Sequence, residues 1–456
     1  MGRQRFSDFG ADQSPFSTFG TSLYNAATSS VVLTFPIARI NAAGPDPFTI
    51  GTQTYLGNTV TAGVVLNRQF RRRVLPVTDQ LHPSRPMTRA CRVISIASHL
   101  GMGWGEPVRP SLITPPSLTA GDRVAVVSPS FAAPGAFPWV HELSMRRLRA
   151  ELDLVPVEFP TTRQLGASPR DRARDLMAAF ADPGIRAVLA SIGGDDQLTV
   201  LPYLDPEVFA ANPKPFVGYS DNTNLLNWLW NLGIVAYHGG STMVHLGRPG
   251  GLHPLSTGSL RSALLTRGDV ELHPVDRFSE DDLDWTERDA ADDDPAPTLP
   301  SEGWTWHQPN QVVTGPSWGG NLEILHWNLA AHRWMRPVAD YTGCVLLLET
   351  SEEMPSAVEV SRMLRNAGER GLLAQFPAVI VGRPKASNRE NSPSAKDRAR
   401  FRADQRDAVL AAFARYGPDA MLVLDVDIGH TDPQWVLPYG GNFTVDGPAR
   451  RITAHY

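Results

Sequence analysis

From Leu118 onward, short apolar runs alternate with amphipathic stretches, and that rhythm leaves few folds open to the chain. Val124-Ala125-Val126-Val127 suits a buried parallel strand, closed by Ser128-Pro129-Ser130. Val140 to Glu151 reads as a helix with Leu143 and Leu148 on one side, and Leu154 to Val157 as a second strand. Ser168-Pro169-Arg170-Asp171 caps a further helix that runs to Ala181 and is stopped by Asp182-Pro183-Gly184. A third strand, Ile185 to Ile192, empties into Gly193-Gly194-Asp195-Asp196. Phe216-Val217 and Ile234 to Tyr237 are the fourth and fifth. Strands spaced by helices at this pace predict βαβ units and a parallel sheet. Sites in such sheets form at the carboxyl ends of the strands. Gly193-Gly194 and Ser220 both fall there.

Residues 247 to 310 break the rhythm and read as a linker and substrate loop. Gly247 to Gly251, the acidic run from Ser279 to Asp294 and the proline-rich Pro295 to Pro300 carry no sustained period. Trp285, Trp304 and Trp306 stand out there, either as anchors packing the loop down or as a stacking surface for a ring-bearing substrate. A second α/β domain is expected from Gln311 to the C-terminus. Trp318-Gly319-Gly320-Asn321-Leu322 opens a helix through Ala330. Strands are predicted at Cys344 to Leu348, Ala378 to Gly382 and Ala420 to Leu424, with helices at Ser356 to Arg370 and Asp404 to Tyr416. Asn442 to Val445 and Arg451 to Ala454 read as a closing hairpin.

The length of 456 residues agrees with two or more domains. A net charge of −5 gives no reason to expect nucleic acid or an anionic membrane as partner. Two cysteines, Cys91 and Cys344, make neither a disulfide framework nor a cysteine zinc site. No apolar run approaches the roughly 18 residues of a membrane helix, and no basic start leads into an apolar core. The cytoplasm is the expected compartment. His238, His245 and His253 lack the spacing of a zinc protease, so no metal is expected. Neither a G-x-x-x-x-G-K-[ST] loop nor a G-x-G-x-x-G after a strand is present, which argues against a nucleotide-dependent enzyme.

Three residues that bear chemistry sit just past apolar strands: Ser220, Glu349 and His430. Hydrolysis by serine needs a base for the hydroxyl proton and a carboxylate to orient that base. A serine at a sharp strand-to-helix turn is one way of presenting a nucleophile above a sheet. Each residue also has a plainer reading. Ser220-Asp221-Asn222-Thr223 is an ordinary helix cap, a glutamate after a strand is usually solvated, and His430 sits in a Gly-His-Thr-Asp-Pro turn. A non-catalytic binding protein with two α/β domains is the alternative class.

From Leu118 the chain resembles the serine LD-carboxypeptidase family, which includes the microcin C immunity peptidases. The likeness rests on Ala125 to Ser130, on Ser191 to Asp196 with Leu201-Pro202-Tyr203, on Gly218 to Thr223 and on Gly319 to Leu322. Leu347-Leu348-Glu349 and Gly429-His430-Thr431 fall where the family has its glutamate and histidine. The resemblance implies a two-domain α/β enzyme. A flavodoxin-like parallel-sheet domain at 109–246 would hold the nucleophile, and a mixed-sheet domain at 311–456 the glutamate and histidine. It implies Ser220 as nucleophile, His430 as general base and then acid, and Glu349 as the orienting carboxylate. Backbone N–H groups of Asp221 and Gly194 would receive the oxyanion, and Asp195 and Trp285 would contact substrate. No metal or cofactor is implied. The substrate it implies is a small peptide, as in removal of D-alanine from a murein tetrapeptide, or an aminoacyl- or peptidyl-nucleotide, and it allows a homodimer.

The first 108 residues lie outside this likeness, are expected to be disordered or poorly packed, and include the basic cluster Arg71-Arg72-Arg73. They read as an upstream extension, with the working protein starting near Met87 or Met102. Mass spectrometry of the native protein is expected to find its N-terminus there. Abundant peptides from residues 1–80 would overturn the expectation.

Overall fold

The computed structural model describes residues 111–280, 285–286 and 297–456, together with the backbone of four short earlier strands. Those four form two antiparallel pairs, Ser22–Asn25 with Ser30–Leu33 and Gly51–Leu56 with Thr59–Val64. The sequence suggests a strand from Val31 to Ile40, interrupted by Pro36, and its first residues, Val31 to Leu33, lie in the first pair. The other expectations for residues 1–108, the basic cluster among them, fall outside the described residues.

The first sheet follows the βαβ rhythm. Strands β1 (Arg123–Val127), β2 (Val155–Glu158), β3 (Ile185–Ala190), β4 (Phe216–Gly218) and β5 (Ala236–His238) all run parallel. The main helices between them are α1 (Pro138–Leu152), α2 (Pro169–Ala181), α3 (Pro206–Ala211) and α4 (Thr223–Asn231), with a single turn at Ala133–Ala136 before α1. α2 begins as the sequence predicts: the Ser168 side chain accepts from the Asp171 N–H, and Pro169 needs no donor partner in the first turn.

The stretch read as a linker contributes regular structure. Helix α5 (Pro254–Arg261) is capped by the His253 side chain. Strands β6 (Asp269–Leu272) and β7 (Thr305–His307) are opposite edges of the second sheet. The rest of that sheet comes from β8 (Val312–Asn321), β9 (Val345–Glu349), β10 (Ala378–Gly382), β11 (Met421–Val426), β13 (Asn442–Asp446) and β14 (Arg451–His455), in the order β6-β14-β13-β8-β9-β10-β11-β7. Its centre, β8 to β11, is parallel, and its flanks are antiparallel, so the sheet is mixed. Helices α6 (Leu322–Ala331), α7 (Ala357–Glu369) and α8 (Ala395–Tyr416) complete this lobe.

Three elements differ from their sequence reading. α8 starts at Ala395 and not at Asp404, because its first turns carry arginines in place of an apolar stripe. Two of them, Arg398 and Arg402, pair with the buried Glu280 at 3.1 and 2.7 Å. Trp318 to Asn321 end a strand, and the helix waits for Leu322, with the Asn321 side chain as its cap. The third is β12 (Leu437–Tyr439), which the sequence did not suggest. It leaves the second lobe to pair antiparallel with β5, giving the first sheet the order β12-β5-β4-β3-β1-β2.

The two lobes also meet through α4. Every residue from Thr223 to Trp230 is buried, as expected of a helix apolar on most of its surface. Its leucines and tryptophans share one apolar cluster with Trp318, Leu322, Leu325 and Tyr341 of the second lobe. Its polar positions are satisfied across the junction. Trp318 Nε1 donates to Asn227 Oδ1 (2.9 Å), Asn328 Nδ2 to Asn224 Oδ1 (3.0 Å), and the Asn321 N–H to Thr223 Oγ1 (3.0 Å). Buried polar groups joined in this way fix one mutual arrangement of the lobes.

At Gly320 the backbone of the second lobe comes up against the Thr223 side chain of the first. Its φ is +107°, and a Cβ there would stand 2.7 Å from Thr223 Oγ1. Gly320→Ala is expected to lower stability by about 3 kcal/mol in urea unfolding, combining backbone strain with overpacking. Gly121→Ala, also at positive φ but with nothing within 4 Å, is expected to cost only about 1 kcal/mol. Equal losses at the two positions would refute the close-approach explanation.

Candidate active site

β4 ends at Gly218, Tyr219 is extended, and Ser220 then takes φ +61°. That left-handed conformation costs a non-glycine residue on the order of 1 kcal/mol and persists only where the surroundings impose it. Asn222 imposes it here. Its Nδ2 donates to the carbonyls of Tyr219 (3.0 Å) and Ile192 (3.1 Å), and its Oδ1 accepts from Gln197 Nε2 (2.8 Å). The plain cap reading does not describe this turn, since α4 has no side-chain cap bond.

The Asp221 carboxylate points into the protein and is fully buried. It accepts from Ser130 Oγ (2.5 Å), the Gln197 N–H (2.9 Å) and Asn224 Nδ2 (2.8 Å). Burial pushes its pKa up, and these donors partly restore the ionised form. The carboxylate thus ties the ends of β1, β3 and β4 together behind Ser220. In front of Ser220 the wall is Gly193. A side chain there would start 2.9 Å from Ser220 Oγ and 3.4 Å from the Asp221 nitrogen, so glycine keeps that space open.

Glu349 closes β9, with its side chain 1% exposed. Its Oε2 lies 2.7 Å from His430 Nδ1, which donates, and its Oε1 lies 3.9 Å from His238 Nε2 at the end of β5. Burial alone would raise the Glu349 pKa, but the two imidazoles outweigh it and hold the carboxyl down at about 2. Burial likewise opposes charge on His430, and here Glu349 and Glu352 outweigh it, raising the imidazole well above its usual range. The His430 ring leans on Tyr219, the residue before Ser220, with centroids 5.0 Å apart. His245 touches the same Tyr219 ring at 5.7 Å. Burial depresses the His245 pKa to about 4, and its Nδ1 accepts from the Ser241 N–H, so it stands neutral.

Glu349 and His430 are therefore brought together, and His430 is brought beside the Ser220 turn. The second imidazole nitrogen, however, is engaged by Glu352, with Nε2 to Oε2 at 2.9 Å. Gly194 and Asp195 are exposed on the loop after β3. Trp285 packs edge-on against Phe137 at 5.4 Å, and its carbonyl accepts from Trp139 Nε1. Trp304 is an anchor, its indole N–H donating to Asp427 Oδ2 (2.9 Å), while Trp306 lies in β7. Among the described residues no group of three or more His, Cys, Asp or Glu is arranged to hold a metal ion.

Sequence reasoning passed over Tyr219, His238 and Glu352. The strand-end position that singled out Ser220, Glu349 and His430 also applies to His238 and was the available signal. Glu352 sits in a Ser-Glu-Glu run that reads as a solvated turn, and nothing local marks it.

Comparison with known proteins gives the family. Residues 124–239 match the LD-carboxypeptidase N-terminal domain and residues 314–445 the LD-carboxypeptidase C-terminal domain. The chain belongs to the LD-carboxypeptidase family. It is 25% identical over 335 residues to a putative carboxypeptidase of Vibrio cholerae, covering 72% of this chain and 94% of that one. It is 23% identical over 288 residues to the microcin C7 self-immunity protein MccF of Escherichia coli, covering 62% and 78%. Among solved structures, an MccF-like protein from Streptococcus pneumoniae in complex with AMP superposes with a TM-score of 0.65 at 25% identity, over 74% of this chain and 99% of that one.

The buried pair makes stability depend on pH. Glu349 has a depressed pKa, so its contribution is present above about pH 4.5 and is lost as pH falls through the folded value near 2. His430 has a raised pKa, so its contribution is full below 6.5 and is lost as pH rises through the folded value. Stability from the pair is therefore expected to be greatest between about pH 4.5 and 6.5. Glu349→Gln is expected to lose on the order of 3 kcal/mol within that window and less on either side. Melting temperatures of both proteins from pH 3 to 9 check this, and a pH-independent difference would contradict it.

Proposed function

We propose that this chain is a serine peptidase that hydrolyses an amide bond of a small peptide in the manner of an LD-carboxypeptidase. Ser220 is the nucleophile, His430 the general base and then acid, and Glu349 the orienting carboxylate. The observation that carries the reading is the 2.7 Å pair of His430 Nδ1 and Glu349 Oε2 beside the left-handed turn at Ser220. With Nδ1–H held by Glu349, a neutral His430 has its lone pair on Nε2, the atom that takes the hydroxyl proton. Ser220 Oγ then adds to the amide carbon. The N–H groups of Asp221 and Gly194 receive the oxyanion, in the space that Gly193 keeps free. Collapse breaks the C–N bond, His430 returns the proton to the leaving amine, and water releases the acyl group by the same steps in reverse. The mechanism uses no metal or cofactor.

Removal of D-alanine from a murein tetrapeptide is the first reading of the substrate. Cleavage of the amide of an aminoacyl- or peptidyl-nucleotide is the second. It is favoured by Trp285, which lies beside Phe137 in the apolar cluster that Ile192, the residue before Gly193, also joins, and by the likeness to the MccF-like protein in complex with AMP. Asp195 and Trp285 are assigned to substrate contact in either case. The cytoplasm is the proposed compartment and a homodimer the proposed assembly.

Purified protein incubated with a murein tetrapeptide and, in parallel, with an aminoacyl-sulfamoyl adenosine is expected to release D-alanine from the first or the amino acid from the second. Ser220→Ala is expected to reduce kcat by at least about a thousandfold with an unchanged melting temperature. Undiminished turnover in Ser220→Ala would end the reading. Failure of wild type to react with an active-site serine reagent would favour the non-catalytic binding protein.

A further inference from the structure

The base that the proposed reaction needs is occupied in this structure. His430 has a carboxylate on each ring nitrogen, Glu349 at 2.7 Å on Nδ1 and Glu352 at 2.9 Å on Nε2. Ionised carboxylates only accept, so both nitrogens donate and the ring is an imidazolium. An imidazolium cannot take the proton of Ser220. One of the two carboxylates must leave for catalysis to begin, and their surroundings differ. Glu349 is buried at a strand end with its side chain 1% exposed, whereas Glu352 stands on the following turn, 54% exposed. Glu352 is the one free to move.

The other groups around the ring do not displace Glu352. Tyr219 presents a phenol that burial keeps neutral. His238 lies on the far oxygen of Glu349, and His245 is neutral. Asp432, on the ring's own loop, is paired with Arg248 at 2.5 Å. Lys385, on the loop after β10, places its charge on the Glu352 side and steadies that carboxylate as an anion.

We propose that Glu352 determines substrate specificity by holding His430 Nε2 in the free enzyme and transferring to a free ammonium group of the substrate: the α-ammonium beside the scissile carbonyl of an aminoacyl-nucleotide, or the D-centre ammonium at the end of the diaminopimelate side chain of a murein tetrapeptide. The proposal rests on the serine-peptidase reading above. As Glu352 moves to the ammonium, the Nε2 proton passes to solvent. The neutral ring that remains keeps Nδ1–H on Glu349 and turns a lone pair toward Ser220. A substrate whose amine is acylated offers Glu352 no competing cation and leaves the base protonated. Selection then follows from differential binding of Glu352 to imidazolium and to substrate.

The test uses the full chain, with Glu352→Gln and, as a control on the exposed neighbouring position, Glu353→Gln. In ¹⁵N NMR of the imidazoles, the His430 titration is expected to fall by roughly one pH unit in Glu352→Gln, as for loss of one nearby opposite charge, and to stay in place in Glu353→Gln. The kinetic readout is kcat/KM for a murein tetrapeptide with its diaminopimelate amine free or acetylated, and for an aminoacyl-sulfamoyl adenosine with its α-amine free or acetylated. Wild type is expected to favour the free amine of its substrate by about fivefold or more, the scale of one partly exposed ion pair. Glu352→Gln is expected to lose that preference and to carry the acid limb of its pH profile to lower pH. An unmoved titration, or an undiminished preference with normal turnover, would overturn the role of Glu352 and leave the triad standing. No turnover of any substrate by wild type, with Ser220 unreactive, would overturn the peptidase reading and the role of Glu352 with it.

Discussion

A negative charge buried at the end of a central strand is the constraint on which the rest of the site depends. Glu349 ends β9 between the two lobes, where an unpaired carboxylate would be strongly destabilising. Its partners come from elsewhere in the chain: His430 from the loop after β11, and His238 from the end of β5 in the other lobe. The nearer partner, His430 at 2.7 Å, belongs to the same lobe as Glu349, and the packing of the two lobes adds His238 at 3.9 Å on the other oxygen. The orientation of the His430 imidazole follows from where the carboxylate is fixed.

The closure is enforced away from the charge. α4 is buried from Thr223 to Trp230, and its asparagines bond to Trp318, Asn328 and the Trp334 carbonyl. β12 reaches back to extend the first sheet. These contacts begin at Thr223, three residues after Ser220, so the helix that follows the Ser220 turn is itself part of the junction. A strained φ at Ser220 is sustained because Asn222 and Asp221 are both locked into that buried network.

The surface of the site is less committed than its base. Glu352 is exposed, yet it makes a contact with His430 nearly as short as that of the buried Glu349. Under the proposed mechanism, a carboxylate in that position would couple the protonation of the base to a cation that approaches, and would give the pocket a chemical preference that the proposed Ser-His-Glu set alone would lack.

Much of this was legible in the chain itself. The alternation of apolar runs with amphipathic helices determined the parallel first sheet, and the positions just past three apolar strands marked Ser220, Glu349 and His430. Those are local signals, set by burial on both faces of a strand and by the polar turn that must follow it. The tertiary structure alone decided that β12 changes sheets, that α8 begins on arginines neutralised by Glu280, and that His238 and Glu352 flank the Glu349–His430 pair. Each depends on charge or hydrogen bonding between segments distant in sequence, and such a pairing leaves no periodicity in either segment. The composition of Ser351-Glu352-Glu353 is that of any solvated turn, and only the packing of the second lobe turns one of its carboxylates toward the imidazole.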